Sequence, residues 1–153
     1  MANTKYLALQ KINSSDYVSP DPINNNMDKL DALGVDYIVA QGKSGEWWYR
    51  KWHSGRAECG IDNKNFGKGV VSAWGNIYST WNGFSFGKYP FAFKSAPFAN
   101  VTVSSTNNQG YYGIVAKASS SPTTLSPAVD LWRATDTDIP QVVLSIFVTG
   151  FYK

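Results

Sequence analysis

Glu46-Trp47-Trp48-Tyr49-Arg50-Lys51-Trp52-His53-Ser54-Gly55-Arg56-Ala57-Glu58-Cys59-Gly60-Ile61 is the stretch from which the rest of the chain is read. It holds half of the six tryptophans and the only Cys and His. Strand formers flank His53-Ser54-Gly55, so the stretch reads as a β-hairpin with a three-residue loop. Such a loop needs positive φ at its last position, which Gly55 adopts without steric cost. This register sets Trp52 against Arg56, Arg50 against Glu58 and Trp48 against Gly60. The other face pairs Lys51 with Ala57, Tyr49 with Cys59 and Trp47 with Ile61.

Side chains alternate across a strand, so the two faces differ in chemistry. Trp47, Tyr49, Ala57, Cys59 and Ile61 make a core face, with Lys51 near the turn. Trp48, Arg50, Trp52, Arg56 and Glu58 interleave indoles with guanidinium groups, Glu58 serving as partner for Arg50 and Trp52 stacking between Arg50 and Arg56. That second face suits cation–π stacking and a subunit contact, or cover by a neighbouring loop of the same chain.

At 153 residues the chain is one domain, or one domain with a short appendage, and can bury a sizeable core without disulfides. Charged residues at 16% and aromatics at 15% indicate an aromatic-rich β domain rather than disorder. A net charge of +3 from dispersed basic residues gives no nucleic-acid stripe. One cysteine excludes an internal disulfide and any multi-cysteine metal site. Residues 1–20 lack the apolar run of a signal peptide, and no stretch approaches a membrane span. The expectation is a protein made in the cytoplasm and released by lysis or a dedicated machine.

Residues 1–20 are polar, with Leu7 and Leu9 alternating in a short extended piece. Asp21-Pro22 is a helix start, Asp as N-cap and Pro at the first helical position. The helix carries Ile23, Met27, Leu30 and Leu33 and stops at Gly34. Spacings of four and three make a narrow stripe, like a short coiled-coil seam. A helix of about twelve residues is marginal alone in water, so the stripe packs on the domain or on copies of itself.

From Asp36 onward the pattern is β. Tyr37–Ala40 reads as a strand, 42–45 as a turn and 62–68 as a polar loop. Residues 69–81 have strand character, interrupted at Gly75-Asn76. Asn82-Gly83 is a hairpin signal, returning through Phe84 and Phe86. Prolines confine 89–98 to edge or connecting positions. Val101 and Val103 share one face of a strand at 100–105, Thr106–Gly110 is a turn, and 111–118 is a strand. Residues 119–124 are a Ser/Thr/Pro loop, and 128–134 and 142–152 complete the set. Turns at roughly eight-to-twelve-residue spacing predict an all-β, antiparallel β-sandwich. The domains are expected as 1–36, an N-terminal segment with a short helix, and 37–153, the sandwich.

Catalysis lacks a constellation. The lone His53 sits in a loop without a triad partner, and Cys59 on the core face reads as a small hydrophobe. No phosphate loop precedes a helix and no His/Asp/Glu set has metal spacing, so no cofactor, metal or catalytic residue is expected. Glycoside cleavage needs only two carboxylates. Asp62, Asp136 and Asp138 read as loop acids, Asp130 lies near a strand start, and Glu58 is matched by Arg50.

Three segments resemble a known family. Tyr6–Lys11, Asp16-Tyr17-Val18 and Asn24-Asn25-Asn26-Met27-Asp28-Lys29-Leu30-Asp31 look like the attachment segment of bacteriophage tail proteins. Asp36–Gly42 running into Trp48-Tyr49-Arg50-Lys51-Trp52-His53-Ser54-Gly55-Arg56-Ala57-Glu58-Cys59 is similar to the hairpin of tail-fibre tip domains, especially from phages of Gram-positive bacteria. Tyr89–Phe93 with Pro97, and Ser145–Tyr152, resemble the closing strands of those domains. The matches span most of the chain, while 106–141 agree only in style. Gly60 departs from the pattern, which has a tryptophan after the cysteine. The His-x-His metal motif of some fibre tips is absent, so no threaded metal is implied.

The resemblance implies a virion tail component: a homotrimeric tip, joined to other tail or baseplate proteins through its N-terminal segment, that binds a glycan on the bacterial surface. Ile23, Met27, Leu30, Trp48, Arg50 and Trp52 are the expected trimer interface. Trp81, Asn107, Asn108, Tyr111 and Tyr112 are the expected receptor-binding residues, where rings meet sugar C–H groups and amides meet hydroxyls. The 119–126 loop is the next candidate. A structural tail or baseplate subunit without receptor binding, and a polysaccharide-cleaving tail enzyme, are the competing classes. Neither nucleic-acid binding nor membrane insertion is expected.

Overall fold

A computed structural model of the chain describes residues 21–32, 34, 36–81, 83–105 and 113–153. The chain divides between Tyr37 and Ile38 into two compact units, one residue beyond the expected boundary. In the first, α1 spans Asp21–Ala32, and Gly34 follows at φ +64°. A left-handed residue after a helix is where glycine is favoured, as expected at this stop. Lys29 lies in the last turn, where a cation suits the helix dipole. Leu33 lies outside the described residues.

The second unit is an all-β sandwich of two antiparallel five-stranded sheets. The first contains β1 (Ile38–Ser44), β2 (Trp47–Trp52), β3 (Arg56–Gly69), β7 (Phe98–Ser105) and β10 (Ile139–Phe151), in the order β1-β2-β3-β10-β7. The second contains β4 (Ser72–Trp74), β5 (Ile77–Ser79), β6 (Phe84–Ser85), β8 (Gly113–Lys117) and β9 (Ala128–Arg133).

The β2–β3 hairpin has the expected register: Trp48 opposes Gly60, Tyr49 Cys59, Arg50 Glu58 and Lys51 Ala57. Gly55 sits at φ +90° and its N–H donates to Trp52 O at 3.0 Å. Trp47, Ala57, Cys59 and Ile61 enter the core. There they meet Val142, Leu144, Ile146 and Val148 of β10 and Val129 and Leu131 of β9. Full burial of a large aliphatic side chain contributes about 1.5–3 kcal/mol, so this inner layer dominates the stability. Tyr89 and Phe93, within the 89–98 stretch expected at edge or connecting positions, close the core edge-to-face, 5.3 Å apart.

Three expectations are corrected. Residues 42–45 are not a turn: β1 runs to Ser44, and the turn is Gly45-Glu46, with Gly45 at φ +59°. Gly42 is a strand residue because the Tyr49 ring, opposite in register, covers it; a β-carbon there would lie 3.3 Å from the Tyr49 hydroxyl. The polar run 62–68 is strand rather than loop, because β10 is long enough to pair with β3 as far as Gly69. Register shifts absorb its irregularity, with Asn63 at φ 53° and Gly67 at φ 77°. The expected hairpin at Asn82-Gly83 is not formed either; Asn82 itself lies outside the described residues. β5 and β6 both pair antiparallel with β9, at Ser79↔Trp132 and Phe84↔Val129, while β8 takes the opposite edge. The described residues between β5 and β6, Thr80, Trp81 and Gly83, thus form a bulge between two pieces of one direction, held by Thr80 N–H to Leu131 O at 2.9 Å and Leu131 N–H to Thr80 Oγ1 at 2.9 Å. The sharp reversal is at Gly75-Asn76, with Gly75 at φ +60°.

Candidate functional site

Two outer faces carry the chemistry. On the first sheet, alternation sends Trp48, Arg50 and Trp52 of β2 outward beside Arg56, Glu58 and Gly60 of β3. Phe147 and Phe151 of β10 and Phe98 of β7 join them, and Phe98 is 66% exposed. Residues 147 and 151 alternate with the buried Ile146 and Val148, so the period of two marks their side once β10 is known to pair between β3 and β7.

Trp48 is engaged within its own chain. Its ring stands over Gly60, where a β-carbon would lie 2.7 Å from Trp48 Cζ2 and 2.7 Å from Ile146 O. Its Nε1–H donates to Asp62 Oδ2 at 3.1 Å, and its ring lies 6.1 Å from that of Phe147. Gly60, the departure from the family pattern, thus makes room for an indole supplied from the opposite strand. Asp62 lies in β3 rather than a loop.

The expected Arg50–Glu58 pair is replaced. Glu58 accepts from Arg56 Nη2 at 2.9 Å. Arg56 also stands over Trp52, 5.5 Å from its centroid, and Arg50 over Trp48 at 5.9 Å. Among the described residues, Trp52 therefore stacks with Arg56 alone. Arg56 reaches Glu58 because the two lie two residues apart on one strand face. On α1, Ile23 and Met27 are exposed and Leu30 is half-buried.

On the second sheet, Trp74, Asp130, Trp132 and Lys117 point outward, by their registers with Ile77, Val115, Gly113 and Ala128. Trp81, from the bulge, meets Trp74 edge-on, with centroids 5.7 Å apart at 70°. Both indoles are half-exposed, at 49% and 50%. Lys117 Nζ donates to Trp81 O at 3.1 Å and pairs with Asp130 Oδ2 at 2.6 Å, tying the bulge to β9. Asp130 is a buried strand residue whose Oδ1 has no hydrogen-bond partner. Trp132 lies over Gly113, where a β-carbon would sit 1.9 Å from its Cε2.

Trp81 is thus placed with Trp74, which the sequence reading left within a strand; a tryptophan just before a Gly-Asn reversal was the available signal. Asn107, Asn108, Tyr111 and Tyr112 lie outside the described residues. The 119–126 loop lines a hollow of about 360 Å³ with Tyr89, Pro97, Ala99 and Ala116.

Of the acids read as loop acids, Asp138 pairs with Lys68 at 2.7 Å and Asp62 accepts from Trp48; Glu46 pairs with Lys64. The Lys68 hydrogen bond, with the Val71 N–H, holds the Asp138 carboxyl below its ordinary range. Burial pushes the Cys59 thiol up to about 12, keeping it protonated and inert near neutrality. Together the fold and surfaces define an all-β sandwich with one aromatic–cationic face and one indole pair. No family model, curated protein or solved structure matches the chain.

Proposed function

We propose that the chain is a bacteriophage tail-fibre tip that binds a glycan on the bacterial surface as a homotrimer, without cleaving it. The hairpin sequence motivates the family. The observation that carries the binding is the half-exposed Trp74–Trp81 pair, held in place by Lys117. Two indoles meeting edge-on present apolar ring area to sugar C–H groups at little entropic cost. In this reading the N-terminal segment attaches to other tail or baseplate proteins. The copies meet through Ile23, Met27 and Leu30 and through the Trp52–Arg56 end of the outer face. Trp48, engaged with Gly60 and Asp62 of its own chain, and the exposed Arg50 lie beside that contact rather than in it.

A single sugar site binds near millimolar, about 4 kcal/mol. Three copies on one axis raise the effective affinity about 10²–10⁴-fold where the receptor repeats at matching spacing. The test is adsorption of the purified full chain to a panel of bacterial strains, with light scattering for the oligomer. Strain-selective adsorption lost in Trp74→Ala/Trp81→Ala, with the trimer and melting temperature kept, supports the reading. Undiminished adsorption moves the site to the 106–112 or 119–126 loops. Absent adsorption to every strain favours a structural tail subunit, the reading to which exposed Phe98 and Phe151 also lend themselves. Release of reducing ends from host polysaccharide would overturn both in favour of an enzyme.

A further inference from the structure

We propose that the hollow between Lys43 and Arg50 on the outer face of the first sheet binds an anionic group, a phosphate or carboxylate, carried on a saccharide. Antiparallel pairing sets Lys43 opposite Trp48 and Gln41 opposite Arg50. Four long side chains thus ring a hollow of about 360 Å³, with the strand backbone at Gly42 and Tyr49 also in its wall.

Charge selects the ligand. Of the acids near this hollow, Glu58 is neutralised by Arg56 at 2.9 Å and Glu46 by Lys64, while Asp62 keeps its charge and is bound to Trp48 Nε1 at 3.1 Å. Lys43 and Arg50 have no carboxylate partner among the described residues, which leaves two positive charges at diagonal corners of the hollow. A guanidinium offers a planar fork to two oxygens of a phosphate or carboxylate, and an ammonium adds a point charge. Arg50 Cζ stands 5.9 Å from the Trp48 ring centroid, so the guanidinium lies beside the indole at the rim of the hollow. The Gln41 amide serves a hydroxyl. Trp48 is pinned by Gly60 beneath it and Asp62 at its nitrogen, so ordering it on binding costs little. A neutral sugar would use the indole and leave both cations unmatched.

The saccharide carrier rests on the glycan-binding reading above; the anion site does not. The test is an NMR titration of the purified full chain, following the Trp48 indole N–H, assigned with Trp48→Phe. The probes are glucose 1-phosphate, glucuronate, inorganic phosphate and glucose. The two charged sugars are expected to move the Trp48 signal with millimolar dissociation constants, and glucose to leave it in place. Arg50→Gln and Lys43→Gln should each weaken binding about tenfold, with the melting temperature unchanged because both side chains are exposed. Raising salt from about 50 to about 500 mM should weaken it further. Glucose binding as well as glucose 1-phosphate, or charged sugars insensitive to both substitutions, overturns the anion site. Inorganic phosphate binding as tightly as glucose 1-phosphate overturns its saccharide half. Failure of the tail-fibre reading shows separately, as absent cell adsorption in a protein whose Trp48 titration still saturates.

Discussion

The indole of Trp48 stands over Gly60, its partner on the neighbouring strand, so closely that a β-carbon at 60 would lie 2.7 Å from Cζ2. The second sheet repeats the device with Trp132 over Gly113, at 1.9 Å. In each pair the aromatic ring covers backbone that glycine alone would leave bare.

The two pairs respond differently to a methyl group. Gly113→Ala and Gly60→Ala should each destabilise the fold by about 1–3 kcal/mol, the cost of overpacking. At Gly113 the three nearest atoms all belong to Trp132, so Trp132→Ala should relieve much of the loss. At Gly60 the Ile146 carbonyl is as close as the ring, so Trp48→Ala should relieve little. Urea unfolding of the single and double variants measures both.

Alkaline stability should report the core. Burial raises Cys59 from its ordinary 9.0 to about 12; burial, then the Cys59 charge, raises Tyr89 from 10.0 to about 12. The unfolded chain loses these protons first. Stability is therefore undiminished below pH 9, falls as pH climbs through the unfolded values, and levels off above the folded ones. The slope reaches about 1.4 kcal/mol per pH unit for each group. Cys59→Ala should remove the part of the slope that begins near 9, whatever its effect on stability at neutral pH.

Lys51, on the inner side of the hairpin, sits among three rings: Phe91 at 4.4 Å, Tyr152 at 4.9 Å and Tyr49 at 6.0 Å. Lys51→Met keeps the stem and loses the charge, and should cost about 0.5–2 kcal/mol. Because the Tyr152 N–H also donates to Gly55 O, the C-terminal residues should exchange amide hydrogens faster in this variant. Hydrogen exchange at residues 151–153 tests that.

Lys117 is a positioning residue for Trp81. Lys117→Met leaves the buried Asp130 carboxylate without its cation and frees the Trp81 carbonyl. Half-exposure of the lysine limits the cost to about 1–2 kcal/mol. Under the tail-fibre proposal, cell adsorption should fall more than this loss of stability explains at temperatures where the protein stays folded. Adsorption equal to that of the parent would separate Trp81 from binding.

Trp52→Ala should weaken the proposed trimer more than Trp81→Ala, because Trp52 carries the Arg56 stack on the outer face of the first sheet and Trp81 lies on the second. Light scattering across a dilution series reads the difference. A parent protein that is monomeric at micromolar concentration would remove the trimer from the proposal.

The hairpin register, its buried face, the helix at Asp21–Ala32 and the β-sandwich class were all legible from residue order. Each depends on local rules: a glycine at positive φ, a period of two, an Asp-Pro start, turns at short spacing. What lay beyond the sequence depended on partners distant along the chain. The polar run 62–68 became strand because β10 came to lie beside it, some eighty residues away, as Asn63 N–H to Ser145 Oγ shows. The chain from β5 to β6 kept one direction, instead of forming the expected hairpin, because one edge of β9 accepted both strands. Glu58 chose Arg56 over Arg50, a competition between two equally plausible cations decided by side-chain reach. Trp74 met Trp81, and Lys43 and Arg50 came to line one hollow, only when the strands were paired. Local propensity specifies what a segment can form; which atoms end up within a few ångströms is decided by packing across the whole domain.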